Sequence, residues 1–219
     1  MQPVGSHLIT LPTDLLTIIY GHLDPTAKAC SHMACQKLKG LHQKKTDPKT
    51  NRFQFCTRAA IDGHLNVLKW ARTKNFQWDK TTTEWAAAKG HLDILQWAIP
   101  NGCPMSAFTC LYAASNGHLK VLQWAIANGC QWDVQTCSTA AQGGHLEVLQ
   151  WARANGCPWG EKTCMNAARN GHLEVLKWAI ANGCPWQDYR IRSITDNPDI
   201  LTWLDDKKAI LTSVSKGRP

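Results

Sequence analysis

The sequence predicts an all-α fold, a helical solenoid of five to six short repeats. The first observation is a tripeptide, Gly-His-Leu, that recurs every 27 residues and begins at Gly63, Gly90, Gly117, Gly144 and Gly171. The second is a tryptophan five residues after each of these leucines. The third is the helical spacing of the apolar residues within each copy. In such an array each unit buries its apolar face against its neighbours, and the array presents a long surface suited to macromolecular partners.

Each copy is predicted to contain two short helices. In the last full copy, Thr163 is the expected N-cap of the first helix, and Asn170-Gly171 is its expected left-handed end. The second helix is predicted from Leu173 to Ala181, with its stop at Asn182-Gly183. The apolar arc of this second helix comprises Leu173, Val175, Leu176, Trp178, Ala179 and Ile180. Because that arc covers more than half of the circumference, the helix is expected to pack against more than one neighbour.

Eight of the ten cysteines recur at two positions of the repeat. Cys56, Cys110, Cys137 and Cys164 hold one position, and Cys103, Cys130, Cys157 and Cys184 hold the other. We expect them to be small buried hydrophobes, kept as reduced thiols in a cytosol-like compartment. The one close pair is Cys30-x4-Cys35, with His32 between, whereas zinc sites combine two such pairs, so no metal site is predicted. The repeated histidines are interpreted as turn-stabilising residues.

The tryptophans form two recurrent sets. The first belongs to the apolar arc and is expected in the core: Trp70, Trp97, Trp124, Trp151 and Trp178. The second follows the helix stop and is expected to bridge consecutive repeats: Trp78, Trp132, Trp159 and Trp186. Exposed tryptophans could also stack on single-stranded nucleic acid, which is an alternative use for this second set. The sequence contains no phosphate-binding loop, no His-Glu-x-x-His motif and no nucleophile beside a distinct base, so neither an enzyme nor a cofactor is predicted.

The formal charge of +8 is dispersed along the chain, and no run exceeds two basic residues. This distribution is weak support for nucleic-acid binding, which is kept as an alternative function. The first residues lack the basic and apolar regions of a secretory signal, and no stretch approaches the length of a membrane span. An intracellular location, cytoplasmic or nuclear, is therefore expected.

The segment from Gly171 to Leu176, followed by Asn182-Gly183, resembles the second helix and terminal loop of the ankyrin repeat. Residues 163–168 resemble a shortened first helix. Thr-Cys replaces the family's Thr-Pro-Leu-His start, and 27 residues replace a period of roughly 33, so the β-hairpin fingers are expected to shrink to short loops. The resemblance spans residues 55–204, including a degenerate sixth copy near Trp203, and 205–219 is expected to be a cap and tail. Such truncated, tryptophan-rich repeats resemble the ankyrin proteins abundant in giant DNA viruses, and a viral origin would imply a location in the host cell.

Residues 1–45 do not fit the 27-residue frame, and this segment resembles an F-box. The matching residues are Leu11, Pro12, Asp14, Leu15, Leu16, Ile19, Leu23, Asp24, Pro25, Cys35, Lys37 and Leu41. The segment departs from the family at Ala27-Lys28-Ala29 and at Leu38. The resemblance implies contact with a Skp-family adaptor through Leu11, Pro12, Leu15, Leu16, Ile19, Leu23 and Pro25. The alternative, compatible with the first, is that residues 7–45 cap the array, and residues 46–54 are expected to be a linker.

Positions at which the copies disagree are the expected recognition surface, because stacking constrains the positions that stay constant. Exposed aromatic and arginine side chains are the best interface anchors, so target binding is assigned to Arg58, Trp85, Phe108, Tyr112 and Tyr189. Together with the F-box resemblance, this predicts the substrate-receptor subunit of a Skp-cullin-F-box ubiquitin ligase, monomeric apart from its partners. The alternatives are an interaction scaffold without ligase function and a nucleic-acid-associated protein.

Overall fold

The computed structural model describes residues 48–216, with side chains for residues 55–208. Within that range the chain is all-helical and contains no strand, which confirms the predicted class and the loss of the β-hairpins. The helices are α1 (Pro48–Ile61), α2 (Leu65–Thr73), α3 (Lys80–Ala88), α4 (Leu92–Ala98), α5 (Ala107–Ser115), α6 (Leu119–Ala127), α7 (Val134–Gln142), α8 (Leu146–Ala154), α9 (Glu161–Arg169), α10 (Leu173–Ala181), α11 (Asp188–Arg192) and α12 (Pro198–Lys216). No helix in the described range combines the length and apolar character that a membrane crossing requires.

The predicted helix ends are confirmed, but the predicted start of the first helix is wrong. Helix α10 has the expected bounds, and Gly171 and Gly183 adopt the positive φ of a left-handed stop. Helix α9 begins at Glu161 after the N-cap Gly160, so Thr163 lies inside it rather than at its cap. Earlier copies explain the error. In α5 and α7 the N-cap is Ser106 or Asp133, and the recurrent threonine is the third helical residue, whose hydroxyl completes a capping box.

The two ends of the described range are more helical than expected. Helix α1 begins at Pro48, inside the segment assigned to a linker, and proline is well tolerated in the first turn of a helix. Helix α12 contains the degenerate sixth copy and continues to Lys216, so residues 205–216, which were assigned to a cap and tail, belong to the same helix. The side chain of Asn197 caps its start, accepting hydrogen bonds from the backbone N–H groups of Asp199 and Ile200 at 3.0 and 3.1 Å.

Leucines rather than tryptophans form the centre of the core. The fully buried leucines of successive second helices are Leu68, Leu95, Leu122, Leu149 and Leu176. The first tryptophan set was expected in the core, but its members are half-buried and pack against the edge of the core. Three members of the second set bridge repeats as predicted: the Trp78 and Trp97 rings lie 5.5 Å apart, and Trp132–Trp151 and Trp159–Trp178 repeat the arrangement.

The repeated histidines link each repeat to the one before it. The Nε2 atom of His145 lies 3.1 Å from the carbonyl oxygen of Ser115, at the end of α5, and three other histidines make the equivalent contact at 3.0–3.2 Å. The imidazole ring also covers a glycine of the preceding repeat, because a Cβ atom on Gly117 would lie 2.6 Å from Nδ1 of His145. The histidine side chains do not cap their own helices, so the turn-stabilising role expected for them is replaced by a contact between repeats.

All eight cysteines of the described range are buried, as expected, and six of them are free thiols. The expectation of free thiols is wrong for Cys110 and Cys130. The Sγ atoms of Cys110 and Cys130 are joined, with their Cα atoms 6.5 Å apart, within the range a disulfide spans. Cys110 lies on α5, and Cys130 follows α6 of the same repeat. The turn between the two helices brings together positions that are 20 residues apart in sequence.

Candidate recognition surface

The candidate surface is formed by two positions, four residues apart, on each first helix. One position is occupied along the array by Arg58, Trp85, Tyr112, Thr139 and Asn166. The other is occupied by Thr81, Phe108, Gln135, Lys162 and Tyr189. Residues four apart share a helix face, and both positions recur with the 27-residue period. We call this surface the first-helix face, and all five predicted target-binding residues lie on it.

Three of these five residues form one aromatic cluster. Trp85 of α3 stacks on Tyr112 of α5, with ring centroids 6.4 Å apart and an interplanar angle of 19°. Phe108, one turn before Tyr112, contacts the same ring at 6.0 Å. Trp85 is 45% exposed and Phe108 is 49% exposed, whereas Tyr112 is half-buried between them. The aromatic cluster of Trp85, Phe108 and Tyr112 is therefore an apolar surface that spans two adjacent repeats.

A buried carboxylate fixes the backbone beneath this cluster. Glu84, next to Trp85, is buried, and its Oε1 accepts a hydrogen bond of 2.7 Å from the hydroxyl of Ser106. Ser106 is also the N-cap of α5, because its Oγ accepts from the backbone N–H of Phe108 at 3.2 Å. This chain of contacts connects α3 to the first turn of α5. The relative positions of Trp85 and Phe108 are therefore set by hydrogen bonds as well as by ring packing.

The other two predicted residues lie apart from the cluster. Arg58 is exposed, but its Nε atom forms an ion pair of 2.8 Å with Asp62, the residue that follows the end of α1. Tyr189 on α11 is 69% exposed, and no ring contact joins it to the aromatic cluster among the described residues. The structure thus brings together Trp85, Phe108 and Tyr112 and separates Arg58 and Tyr189 from them.

Sequence reasoning did not select Val134, the first residue of α7, which is 41% exposed. The signal was present, because the copies differ at this position, where Lys80, Ala107, Glu161 and Asp188 are the equivalents. A valine at the start of a helix does not stand out as an anchor, unlike an aromatic residue. With Trp85, Phe108 and Tyr189, it completes the set of exposed large apolar residues in the described range.

Beyond the aromatic cluster, two polar residues of the first-helix face, Thr139 and Asn166, make hydrogen bonds within the array. The hydroxyl of Thr139 donates to the carbonyl oxygen of Gln135, and the Asn166 side chain donates to the carbonyl oxygen of Ser138 in the preceding repeat at 3.1 Å. The described residues contain no group of three or more His, Cys, Asp or Glu side chains placed to hold a metal ion. The predicted adaptor-binding residues, Leu11 to Pro25, lie outside the described range.

Comparison with known families places this surface within a recognised type of repeat. The family model described as ankyrin repeats (many copies) matches residues 84–126, 110–153 and 137–180. The matched segment contains all three residues of the aromatic cluster. No curated protein matches the sequence. Residues 84–180 of this chain therefore match ankyrin repeats, a type of repeat that indicates a protein–protein interaction module.

Proposed function

We propose that this chain binds a target protein through the first-helix face, with Trp85, Phe108 and Tyr112 as the anchor of the interface. The observation that carries the proposal is the exposure of two large rings on an otherwise well-packed array. Aromatic side chains that become buried at the centre of an interface commonly contribute about 2 kcal/mol or more each to binding. The hydrogen bond between Glu84 and Ser106 already orders the backbone here. Binding of the target therefore costs little further conformational entropy at this place.

The finer part of the proposal is that the target is delivered to a ubiquitin ligase. The support is the F-box-like sequence that opens with Leu11-Pro12 and continues to Leu41. By that resemblance, the N-terminal segment holds a Skp-family adaptor and the repeats hold the target. The chain then supplies proximity and leaves the chemistry to the partner enzymes of the ligase.

Affinity capture with two double variants of the full chain tests both halves. Leu11→Ala with Pro12→Ala should abolish recovery of a Skp-family adaptor and leave recovery of the target unchanged. Trp85→Ala with Tyr112→Ala should reduce recovery of the target and spare the adaptor. Thr139→Ala is the matched control, because Thr139 holds the same repeat position as Trp85 and Tyr112 without an aromatic ring. Circular dichroism establishes that each variant is folded.

The alternatives give different results in the same experiment. Recovery of other proteins without an adaptor would reject the ligase role and leave an interaction scaffold. Recovery of nucleic acid that is released by added salt would favour the basic, nucleic-acid-associated alternative. Equal loss of target with Thr139→Ala and with the aromatic double variant would reject the aromatic cluster as the anchor.

A further inference from the structure

The two cysteine positions of the repeat come together as pairs in three successive repeats. The first-helix position holds Cys110, Cys137 and Cys164, and the position after the second helix holds Cys130, Cys157 and Cys184. In the first of these repeats the two Sγ atoms are joined. All six residues are buried, and the partners in each repeat are separated by the same 20 residues.

The other two pairs have equivalent surroundings. Helices α7 and α8, and then α9 and α10, follow α5 and α6 with the same 27-residue offset in their bounds. The Sγ atoms of Cys157 and Cys184 lie 3.5 and 3.4 Å from the carbonyl oxygens of Asp133 and Gly160, as the Sγ atom of Cys130 lies 3.4 Å from that of Ser106. The Sγ atom of Cys137 also lies 3.9 Å from the carbonyl oxygen of Cys157. The second cysteine of each pair is therefore held at the same place in all three repeats.

We propose that Cys137–Cys157 and Cys164–Cys184 are dithiol sites of the same kind as Cys110–Cys130, so that the array carries a ladder of three disulfides formed by reaction with a small-molecule disulfide such as glutathione disulfide. This inference is independent of the proposed binding function. It concerns the oxidation state of the cysteines, with one disulfide bond in each of three repeats.

The sulfurs of Cys137, Cys157, Cys164 and Cys184 are covered in the folded protein, where these residues are 0–2% exposed. A buried thiol does not react with a reagent in solution. The exchange therefore takes place while the chain folds, before the sulfurs are covered.

The reaction is ordinary thiol–disulfide exchange. One thiolate of the pair attacks one sulfur of glutathione disulfide, so that a mixed disulfide forms and one glutathione leaves as its thiolate. The other cysteine of the pair then loses its proton, and its sulfur displaces the second glutathione. In sum, two S–H bonds of the protein are replaced by one S–S bond, and the two electrons and two protons convert glutathione disulfide to two thiols.

The ladder ends where the pairing residue changes, and this supplies a control within the chain. Cys103 occupies the same repeat position as Cys130, but the equivalent of Cys110 in its repeat is Thr83. In the repeat before that, Cys56 has Phe76 at the second position. Burial raises the pKa of Cys56 to about 11 and that of Cys103 to about 12, so both remain protonated thiols.

The test is to refold the full chain from urea in a glutathione redox buffer and then to block free thiols with N-ethylmaleimide in fresh urea, because the thiols are buried in the folded protein. Linked peptides are identified by mass spectrometry. Cleavage by trypsin together with a protease specific for the N-terminal side of aspartate separates the cysteines of neighbouring pairs, because Lys120, Asp133, Arg153 and Lys162 lie between them. Links are expected between residues 93–120 and 121–132, between 133–153 and 154–162, and between 163–169 and 178–187. Alkylation of Cys137, Cys157, Cys164 and Cys184 in the oxidised protein would overturn the proposal.

Two variants establish that each link is confined to its own repeat. Cys157→Ser should remove the middle link alone and leave Cys137 open to alkylation. Cys103→Ser, at the equivalent position without a partner cysteine, should leave all three links in place. If Cys137 instead joins another cysteine in the Cys157→Ser protein, pairing is not set by the repeat geometry and the ladder is rejected.

Discussion

Replacing Gly117 by alanine tests the contact between consecutive repeats. Gly117 has φ of +77°, and the new Cβ would lie 2.6 Å from Nδ1 of His145 in the next repeat. The ring would have to move, and its Nε2 would lose the contact of 3.1 Å with the carbonyl oxygen of Ser115. We expect the substitution to weaken the stacking of the two repeats as well as to strain the turn.

The magnitude follows from two contributions. An L-residue forced into the left-handed region costs about 1–2 kcal/mol. Loss of the hydrogen bond to a partly buried carbonyl adds about 1–3 kcal/mol. Gly129→Ala is the matched control, because Gly129 has φ of +87° and nothing lies within 4 Å of the place that its new Cβ atom would occupy. We therefore expect roughly 1–2 kcal/mol of destabilisation for Gly129→Ala, and roughly 2–5 kcal/mol for Gly117→Ala.

Urea unfolding followed by far-ultraviolet circular dichroism measures both free energies of unfolding. In a His145→Ala background, Gly117→Ala should cost no more than Gly129→Ala does, because the clashing ring is absent. Equal losses for the two alanine variants in the otherwise unchanged protein would refute the reasoning, since the histidine contact would then contribute nothing measurable.

Three further outcomes are expected. Trp124→Ala should lower the free energy of unfolding by about 3 kcal/mol. This is the lower end of the range for replacing a core tryptophan by alanine, because the ring is half-buried. An unchanged urea midpoint would contradict its packing role. Burial, with smaller effects of His118 and His172, lowers the pKa of His145 below its usual value of 6.5. The folded state then binds fewer protons than the unfolded state, so stability should fall as the pH drops below about 6.5, and urea midpoints measured from neutral to acid pH should show a smaller fall in His145→Ala. Elemental analysis of the purified protein should find no stoichiometric zinc, whereas one equivalent would contradict the interpretation of the cysteines.

Local signals predicted the second helices well and the first helices less well. Asn-Gly pairs such as Asn182-Gly183 mark helix ends directly, because the glycine adopts a backbone conformation that other residues avoid. The start of the first helix was predicted wrongly because threonine is favourable both as the N-cap and as the third residue of a helix. Thr163 satisfies the preference for an N-cap, yet in this repeat threonine is the third helical residue.

The candidate surface was predictable as a set of positions but not as an arrangement. Variation between copies identified Trp85, Phe108 and Tyr112, since stacking does not constrain the residues at those positions. These three rings contact one another, whereas Tyr189 lies apart from them. The difference depends on how the helices of adjacent repeats are placed, and the sequence pattern does not predict that placement. The pairing of Cys110 with Cys130 was missed for the same reason, because it depends on the turn that folds two helices against each other.

The central claim, that the first-helix face contacts the target, is tested most directly by photo-crosslinking. A benzophenone amino acid is placed at Phe108 in one protein and at Gln150, an exposed position on the second helix α8, in another. After capture of the target and irradiation, a covalent adduct is expected from position 108 and none from position 150. An adduct from position 150 alone would place the target on the opposite helices and contradict the account.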